Sequence, residues 1–523
     1  FEHYWPQLHL SRDQFLAFGR QDPGNRDEPM NLTVLAMQLS SYRNGVSRLH
    51  GAVSRRLWHN VWPSLPMREV PITHITNGIH TRTWLSDDMT ELYNRYLGPD
   101  WEEKTTDEEI WKRLDDIPDT EIWRTHERRR ERLVAFARRR LHQQYAARGA
   151  SRTELRTVEE VLDPEALTIG FARRFATYKR ATLILSDLER LTKLVSQSDR
   201  RVQFIFAGKA HPRDNPGKDL IRQIVHYARQ PEFRRRIIFL EDYDLSMARY
   251  LVQGVDVWLN TPRPGLEASG TSGMKAAMNG ALNCSTADGW WAEGYAPEIG
   301  WRIGQGERYD DVNYGDAVEA HALYDILERD IVPLFYDVGA DRLPRRWIAM
   351  MKHAIGEVSP RFNSHRMLED YCERLYWPAA RNYQRLSAEG VAQGKEVAQW
   401  YDRVQAHWGG VRILSTTSTA DDSLPVTTPV EVRARVGLGG LAPEDLSVVG
   451  YDDSLLVGFT DPPLTTIRQP FREMGARAMR RLMEAIQPPP AAGGGQTPGV
   501  DSLPTTLVVR GSTAPPPGAG RER

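Results

Sequence analysis

Short apolar runs that alternate with helical segments constrain the fold of this chain more than any other feature of its sequence. The runs are rich in β-branched and aromatic residues, lack strict apolar–polar alternation, and cover residues 167–171, 202–206, 237–240 and 255–259. Runs of this kind are typical of parallel strands that are buried on both faces. Segments with helical spacing follow them, as at residues 179–194 and 218–229. The pattern predicts βαβ units in a doubly wound sheet, in which ligands bind in the loops after the strands.

Length and composition exclude several classes of protein. The 523 residues are enough for roughly three or four domains. With 40% apolar and 26% charged residues, the composition is that of an ordinary globular protein. The 68 basic and 69 acidic residues give no overall attraction to nucleic acid or to an anionic membrane. No run approaches the ~18 apolar residues of a membrane span. The two cysteines, Cys284 and Cys372, cannot build a disulfide framework, which predicts a reducing, cytoplasmic setting.

The two ends of the chain differ in character from its middle. The chain begins with Phe1 instead of Met, inside what looks like ordinary domain sequence, and this suggests a fragment. Residues 415–428 are small and polar and are typical of a linker between domains. Residues 486–523 are rich in Pro and Gly, so we expect little packed core in that segment.

A basic segment follows the first predicted strand. Residues 172–180 (ARRFATYKR) carry four cations at the carboxyl end of a strand and the start of a predicted helix. Such a position suits an anion. Arg174 and Lys179 are our candidate pair, because arginine offers a planar fork and lysine a compact point charge. A solvated basic helix start is an equally good interpretation of these residues.

A glycine-rich turn follows the fourth predicted strand. Residues 266–280 read LEASGTSGMKAAMNG, and the glycines and hydroxyl side chains of this turn leave backbone N–H donors free at the start of a helix. Lys275 lies one turn into that helix among Met and Ala residues. Desolvation there would lower the pKa of the lysine and favour Schiff-base chemistry. A lysine extending to solvent from a surface helix is the alternative, and the apolar neighbours favour function.

Two further segments each allow two interpretations. Residues 288–294 (DGWWAEG) combine indoles with carboxylates, which suits either a sugar site or a rigid loop packed into the core. Residues 127–141 (ERRRERLVAFARRRL) form a basic helix that could face nucleic acid. Their apolar residues have helical spacing, which favours a solvated basic face on a packed helix.

Taken together, these motifs resemble those of the α-glucan phosphorylases, and especially the bacterial glycogen/maltodextrin phosphorylases. The matching segments are NGVSRLH (44–50), TNGIHTRTWL (76–85), GFARRFATYKR (170–180), FAGKAHP (206–212), FLEDYD (239–244) and EASGTSGMKAAMNG (267–280). The resemblance runs from residue 1 to about residue 440. It implies an α/β fold with the two-Rossmann-domain, glycosyltransferase-B-type architecture, with the amino-terminal domain mostly missing. It also implies phosphorolysis of terminal α-1,4-glucosyl units of glycogen or maltodextrin to glucose 1-phosphate, with retention.

The resemblance implies a cofactor and the residues that hold it. Lys275 matches the lysine that carries pyridoxal 5'-phosphate as a Schiff base in this family. Trp84, Tyr243 and Thr271 match residues of the cofactor pocket. In the family, the phosphate of the cofactor lies beside the substrate phosphate and donates and accepts a proton. No metal ion is implied.

The substrate residues are likewise implied by the resemblance. Arg174 and Lys179 match the clamp for the substrate phosphate and are the expected catalytic residues. The residues expected to hydrogen-bond the glucosyl hydroxyls are Asn77, Glu267, Ser269 and Gly270. The family's amino-terminal domain contributes a glycine loop and a histidine to the same cleft. Because these are missing here, we expect this chain to be weakly active or inactive.

The carboxyl-terminal part resembles a different family. Residues 440–453, 461–470, 471–486 and 507–516 are similar to the effector-binding domain of the lactose/galactose repressors, although only about its last third is present. The resulting division is a remnant of the amino-terminal phosphorylase domain (1–75), a Rossmann-like domain bearing the cofactor (76–385), a phosphorylase extension with linker (386–440), a partial repressor-like domain (441–516) and a disordered tail (517–523).

Three hypotheses for the function remain. The first is an α-glucan phosphorylase with a glucan and inorganic phosphate as partners, without nucleic acid or membrane, and with a homo-oligomer left open. The second is a nucleotide-sugar-dependent glucan synthase of the same architecture, which would have no Schiff-base lysine at position 275. The third is a sugar-responsive transcription regulator, suggested by the tail and disfavoured by the absence of a helix-turn-helix motif.

Overall fold

The computed structural model describes residues 1–307, 309–418, 432–441, 449–451, 465–468 and 506–508. The chain divides into two compact units, Phe1–Ala379 and Ala380–Arg523. The domain boundaries expected at residues 75, 385 and 440 stay a prediction. The expected tail, residues 517–523, lies outside the described residues.

The helices of the described residues range from single turns to long rods. They are α1 Tyr4–Gln7, α2 Arg12–Ala17, α3 Leu32–Leu39, α4 Arg48–Leu57, α5 Thr81–Trp84, α6 Asp87–Tyr96, α7 Glu108–Lys112, α8 Asp119–Ala147, α9 Arg152–Val158, α10 Leu188–Ser196, α11 Asn215–Ala228, α12 Leu245–Gly254, α13 Ser272–Ala277, α14 Trp291–Gly294, α15 Val312–Ile326, α16 Val332–Phe335, α17 Arg345–Arg361, α18 Ser364–Tyr371 and α19 Trp377–His407. The backbone leaves helical geometry inside α19, from Ala388 to Val391.

The strands of the described residues belong to four separate sheets. They are β1 Asn44–Gly45, β2 Thr73–His74, β3 Leu167–Ala172, β4 Val202–Ala207, β5 Ile237–Leu240, β6 Val257–Asn260, β7 Leu282–Thr286, β8 Gly300–Ile303, β9 Val411–Ser418, β10 Val432–Leu438, β11 Val449–Tyr451, β12 Thr465–Arg468 and β13 Thr506–Val508. Strands β1 and β2 pair in parallel, and β9 and β10 pair antiparallel. Strand β12 lies between β11, to which it is parallel, and β13, to which it is antiparallel.

The largest sheet is parallel throughout and has the strand order β5-β4-β3-β6-β7-β8. The chain therefore builds outward from β3 in one direction and then returns to build outward from β6 in the other. The predicted α/β class with a doubly wound sheet is confirmed. The strand order reverses between β3 and β6, and in sheets of this kind ligands bind beyond the carboxyl ends of the strands at that point.

The seam between β3 and β6 is short. Its register pairs Ile169 with Val257 and Gly170 with Trp258, whereas β3 pairs with β4 along its whole length from Leu167 to Ala172. The two halves of the sheet therefore share little backbone pairing where they meet.

Both faces of the sheet are buried, which explains why its strands are continuous apolar runs. Phe204 and Phe206 of β4 point into one core cluster, while Ile205 and Ala207 point into the other. Successive side chains of a strand lie on opposite faces, so a strand covered on both sides needs apolar residues at every position. Helices α10 and α11 cover the first face, and α8 and α12 cover the second.

One predicted helix begins later than its pattern indicated. The sequence predicts a helix over residues 179–194, but the structure has short 3₁₀ turns at Thr177–Lys179 and Leu183–Leu185 before α10. Arg180 adopts a left-handed backbone conformation with φ of 47°, which ends the first turn. The side chain of Asp187 accepts a hydrogen bond from Arg190 N and caps α10, so the helix begins at Leu188.

Helix α8 contains the basic segment and is not simply solvated on its charged side. Leu133, Ala137 and Leu141 pack into the core as their spacing predicts, but Arg129 and Arg130 are also buried. Arg130 Nη1 lies 2.6 Å from Oδ1 of Asp256, which is fully buried at the start of β6. The interpretation of a wholly solvated basic face is therefore wrong for these two arginines, which have partners far away in the sequence.

Candidate functional site

Two cations meet one carboxylate where the strand order reverses. Arg173, directly after β3, donates from Nη2 to Oε2 of Glu267 over 2.6 Å, and Lys179 Nζ lies 3.1 Å from the same oxygen. Arg173 also donates to Asn260 at the end of β6. The charged side chains of this cluster, Arg173, Lys179 and Glu267, are largely buried. The arrangement concentrates positive charge at the carboxyl edge of the sheet, and Glu267 compensates it only in part.

Arg174 does not join this cluster. Its side chain is exposed and has no hydrogen-bond or ion-pair partner among the residues that the structure describes. The structure thus brings Lys179 of the predicted pair to Glu267, together with Arg173, which the sequence analysis did not select. Adjacent residues in a loop have no periodicity that would tell which of them turns inward. Only the four-cation segment as a whole could be identified from the sequence.

Arg180 holds the basic loop against the loop that follows β6. Its guanidinium donates to the carbonyl oxygens of Thr261 and Pro262 over 2.8 and 3.0 Å, and to Asp316 over 2.9 Å. The hydroxyl of Thr261 in turn donates to the carbonyl of Lys179 over 3.1 Å. These bonds fix the position of the Lys179 backbone and account for the left-handed conformation of Arg180.

Asp288 organises the loop that carries Glu267. Its Oδ2 accepts hydrogen bonds from the backbone N–H groups of Leu266 and Glu267, over 3.1 and 2.8 Å, and its Oδ1 accepts one from Gly289 N over 2.8 Å. Burial raises the pKa of this carboxyl group above its usual value, and the backbone donors act against that rise. The sequence analysis left the role of this segment open.

The two indoles beside Asp288 are core residues. Trp290 and Trp291 are buried and pack edge to face, with ring centroids 5.1 Å apart, and Trp290 also packs against Phe362. Trp290 N donates to the carbonyl of Ser269 over 2.8 Å. The segment is therefore a rigid packed loop, as one of the two interpretations expected, and its ring faces are covered by protein.

Three predicted residues lie in the turn between Glu267 and α13. Gly270 has φ of +69°, a conformation that other residues rarely adopt, and so explains the glycine. The Ser269 hydroxyl is buried without a hydrogen-bond partner among the described residues. Thr271 precedes α13, and its carbonyl accepts from Lys275 N over 3.3 Å. An unpartnered buried hydroxyl beside a free helix start leaves polar groups available for a ligand.

Lys275 lies in apolar surroundings. Its Nζ is 3.6 Å from the centroid of the Trp84 ring, and the lysine is half-buried. Burial lowers the pKa of this amine to about 8. A solvent-exposed lysine has a pKa near 10.4, so a far larger share of Lys275 is neutral, and hence nucleophilic, at neutral pH.

Asn279 fixes the position of Trp84 relative to α13. Its Nδ2 donates to the carbonyls of Trp84 and Lys275 over 2.9 and 2.8 Å, and its Oδ1 accepts from Ser86 N over 2.9 Å. Gln253 Nε2 also donates to the Trp84 carbonyl, over 3.2 Å. The role of Asn279 could not be inferred from its motif, because Trp84 and Ser86 lie 195 and 193 positions away.

Tyr243 packs, like Trp84, against the core cluster on the face of the sheet that α8 and α12 cover. Burial raises the pKa of the Tyr243 phenol to about 12, and the positive charge of Arg173 acts in the opposite direction. The guanidinium of Arg173 therefore lies close enough to Tyr243 to influence its phenol electrostatically.

Asn77 lies on a separate segment that is bound to the same loop system. Its N–H donates to the carbonyl of Val46 over 3.0 Å, and the neighbouring Thr76 hydroxyl donates to Glu293 over 2.8 Å. Ser47 Oγ donates to the carbonyl of Ala268, between Glu267 and Ser269, over 2.6 Å. These contacts hold the segment of Asn77 beside the turn, but within the described part of the chain no hydrogen bond joins the Asn77 side chain to the other predicted site residues.

Two negative observations complete the description. No cluster of three or more His, Cys, Asp and Glu side chains arranged to hold a metal ion occurs in the described part of the chain. Among the helices of the same residues, none is long and apolar enough to cross a membrane.

The fold and the site define a class: a doubly wound α/β domain with buried cations at the carboxyl edge of its sheet and a half-buried lysine after the strand that follows the reversal of strand order. Residues 23–300 match the family model described as carbohydrate phosphorylase. The chain belongs to this family. A second model, described as a periplasmic binding protein-like domain, matches residues 430–513, in agreement with the resemblance to repressor effector domains.

Curated relatives agree with this assignment. The chain is 42% identical over 445 residues to a maltodextrin phosphorylase of Thermococcus litoralis, and 40% identical over 442 residues to a glycogen phosphorylase of Mycobacterium bovis, in both cases over 84% of its length. It is 45% identical over 355 residues, 68% of its length, to a glycogen phosphorylase of Aquifex aeolicus. Each alignment covers 50% of the relative. The chain thus spans about half the length of these relatives.

Proposed function

We propose that this chain carries the cofactor-binding part of an α-1,4-glucan phosphorylase, which cleaves terminal glucosyl units of glycogen or maltodextrin with phosphate and releases glucose 1-phosphate with retention. Membership of the carbohydrate phosphorylase family supports this proposal. The observation that carries it is the position of Lys275, whose amine lies against the Trp84 ring and has a pKa lowered to about 8.

The pocket around Lys275 fits pyridoxal 5'-phosphate. Trp84 and Tyr243 offer apolar ring surface for a flat heteroaromatic group, and Thr271 lies at the start of α13, where backbone N–H groups are free. Lys275 supplies a partly neutral amine, as needed for covalent attachment to an aldehyde carbon. When bound, the cofactor supplies a phosphate group that exchanges a proton with the substrate phosphate.

Arg174 and Lys179 hold the substrate phosphate in this proposal. Lys179 is buried and fixed through Glu267, so it is preorganised as a point charge. Arg174 is exposed and its fork is free of partners among the described residues, so it can meet an incoming anion. Cations held in a partly buried position stabilise phosphate charge more strongly than they would in water.

The glucosyl unit would be held from the other side of the same loop. The unpartnered hydroxyl of Ser269 and the backbone at Gly270 are available to sugar hydroxyls, and the Glu267 carboxylate can accept from them. We assign Asn77 to the same group because its segment is bound to this loop through Ser47. Asp288 and Asn279 are positioning residues, since they act on Glu267 and Trp84 and not on the ligand.

The proposal also covers cellular location and oligomeric state. We propose that the enzyme is cytoplasmic, because both cysteines are free. A homo-oligomer stays one of the possible states of assembly. We also keep the division into domains at residues 75, 385, 440 and 516. A nucleotide-sugar-dependent synthase has no use for a desolvated amine at position 275, and no observation favours a regulatory role of the tail.

Covalent labelling tests the proposal directly. The purified chain is incubated with pyridoxal 5'-phosphate, reduced with borohydride, digested and mapped by mass spectrometry. We expect the modified peptide to contain Lys275, and the Lys275→Arg variant to lose that label. Lys218→Arg, which removes an exposed lysine of α11, is the matched control and should keep it. Equal labelling of several surface lysines without preference for Lys275 would reject the cofactor site and, with it, the proposed function.

A further inference from the structure

A groove of about 550 Å³ runs along the free edge of the large sheet. It lies beside β5, the terminal strand, and is walled by the end of α8, by α9 and by the end of α11. A volume in this range is typical of sites for small molecules. The residues of the proposed phosphorylase site do not line this groove.

The floor of the groove is apolar. Its strand residues Ile237, Ile238 and Phe239 belong to the two cores of the sheet and are almost fully buried. The apolar surface that a ligand can reach therefore comes from the partly buried residues Tyr145, Val225 and Ala228, which also line the groove.

The rim of the groove is cationic. Its charged residues are four arginines, against two glutamates: Arg148, Arg229, Arg234, Arg235, Glu154 and Glu241. Glu241 is paired with Arg148, and Arg235 with Glu160 outside the groove. The carboxylate of Glu154 is engaged by Ser151 in the cap of α9.

Two of the rim arginines carry uncompensated charge. The side chains of Arg229 and Arg234 have no hydrogen-bond or ion-pair partner in the part of the chain that the structure describes. Arg229 follows the end of α11, Arg234 lies shortly before β5, and both line the groove. Guanidinium groups that are not already paired bind carboxylate, sulfonate and phosphate with a planar fork of donors.

The strand edge itself is blocked, which argues against an extended peptide as the ligand. The side-chain amide of Gln144 donates from Nε2 to the carbonyl of Phe239 over 3.2 Å and accepts from Glu241 N over 3.0 Å. It thereby takes the place that the backbone of an added strand would occupy. Gln144 therefore leaves no room for a peptide paired along β5. The groove stays open to solvent between its apolar floor and the arginines.

We propose that this groove is a binding site for a small amphipathic anion, namely an apolar ring or short acyl chain that bears one carboxylate, sulfonate or phosphate group. The apolar part lies against Tyr145 of α8 and against Val225 and Ala228 of α11, and the anionic group faces Arg229 and Arg234. This site is separate from the phosphorylase site and does not depend on the function proposed for it.

A pair of fluorescent dyes tests this site in the full chain. The probe is 8-anilinonaphthalene-1-sulfonate, and its neutral control is N-phenyl-1-naphthylamine, which has the same rings without the sulfonate. We expect one saturable site for the anionic dye and markedly weaker binding of the neutral one. Equal affinities for the two dyes would refute the role of the arginines, and the absence of saturable binding would refute the site.

Matched variants locate the binding. Thr157 is exposed on α9 and lines the groove, whereas Thr153 lies one turn earlier on the same helix and does not. We expect Thr157→Trp to fill the groove and abolish saturable binding, and Thr153→Trp to leave it intact. If both variants bind the dye as the parent does, the dye occupies another surface and the proposal fails.

Charge variants test the anionic contact separately. Replacing Arg229 and Arg234 by Gln should weaken binding of the sulfonate about tenfold, with little change for the neutral dye. Arg139→Gln removes an exposed arginine of α8 outside the groove and is the control. All of these positions are exposed, and unchanged thermal melting will verify that each variant folds. An equal loss in the control would show that only general charge attraction is involved.

Discussion

Replacement of Asp256 by Asn should destabilise the first unit strongly. The carboxylate is fully buried and accepts hydrogen bonds from Arg130 Nη1 at 2.6 Å, His126 Nε2 at 2.8 Å and Thr168 N at 2.8 Å. Asn keeps the shape but leaves the buried Arg130 guanidinium without its counter-charge. Breaking a buried ion pair from one side costs about 3–5 kcal/mol. For a unit of the size of Phe1–Ala379, that loss lowers the melting temperature by roughly 4–6 °C.

Thermal melting followed by circular dichroism measures this effect. The control is Glu189→Gln, which breaks an exposed ion pair with Lys193 on α10 and should cost less than about 1 kcal/mol. A double variant, Asp256→Leu with Arg130→Met, removes both charges and should recover much of the loss. If Asp256→Asn melts within a degree of the parent, the buried pair does not contribute as argued.

The stability contributed by Asp256 should depend on pH in a direction that follows from the pKa of its carboxyl group. Burial opposes ionisation of Asp256, but Arg130 and His126 outweigh it and hold the pKa of the carboxyl below its usual value near 3.9. The stabilisation is therefore complete above that value and is lost as the pH falls through the lower pKa of the folded state. Asp256→Asn should accordingly lose less stability on acidification than the parent does.

Two further predictions concern the lysine pocket. The first is the rate at which trinitrobenzenesulfonate modifies Lys275, measured by peptide mapping between about pH 6 and pH 10. We expect this rate to reach half its maximum near pH 8. A midpoint above about pH 10 would contradict the desolvated position of the amine. Asn279→Ala should lower the free energy of unfolding in urea by about 1–3 kcal/mol, because Ser86 N loses its buried partner, whereas the Trp84 carbonyl keeps Gln253. An unchanged urea midpoint would show that Ser86 N finds another partner.

The core of the large sheet could be predicted from the sequence, because strands buried on both faces appear as continuous apolar runs. A strand such as Ile237–Leu240 is apolar at every position, and a half-exposed strand or an amphipathic helix does not have that pattern. The position of the ligand site beyond the strand ends follows from the way βαβ units are connected. The order of the strands, and the strands β7 and β8, were not predicted. Lys275 could be identified because its motif places it in apolar surroundings.

The details of the site could not be predicted, because they depend on partners that are remote in the sequence. Arg173 turns toward Glu267, which lies 94 residues further along, and local sequence does not distinguish it from Arg174. Arg130 is buried because Asp256, 126 residues away, offers a carboxylate in the core. The helix expected from Lys179 begins only at Leu188, because the hydrogen bonds of Arg180 to the loop after β6 override local helix propensity.

The seam between β3 and β6 has a mechanical consequence. Backbone pairing there covers only two positions of each strand, and side chains hold the seam at both ends. Asp256 accepts from Thr168 N at the amino end, while Arg173 reaches Asn260 and Glu267 at the carboxyl end. In the proposed function Lys179 binds phosphate, and its ion pair with Glu267 also joins the loops that follow β3 and β6. An anion that draws Lys179 away from Glu267 must bridge the two loops itself, so we expect anion binding to be thermodynamically linked to the cohesion of the two halves of the sheet.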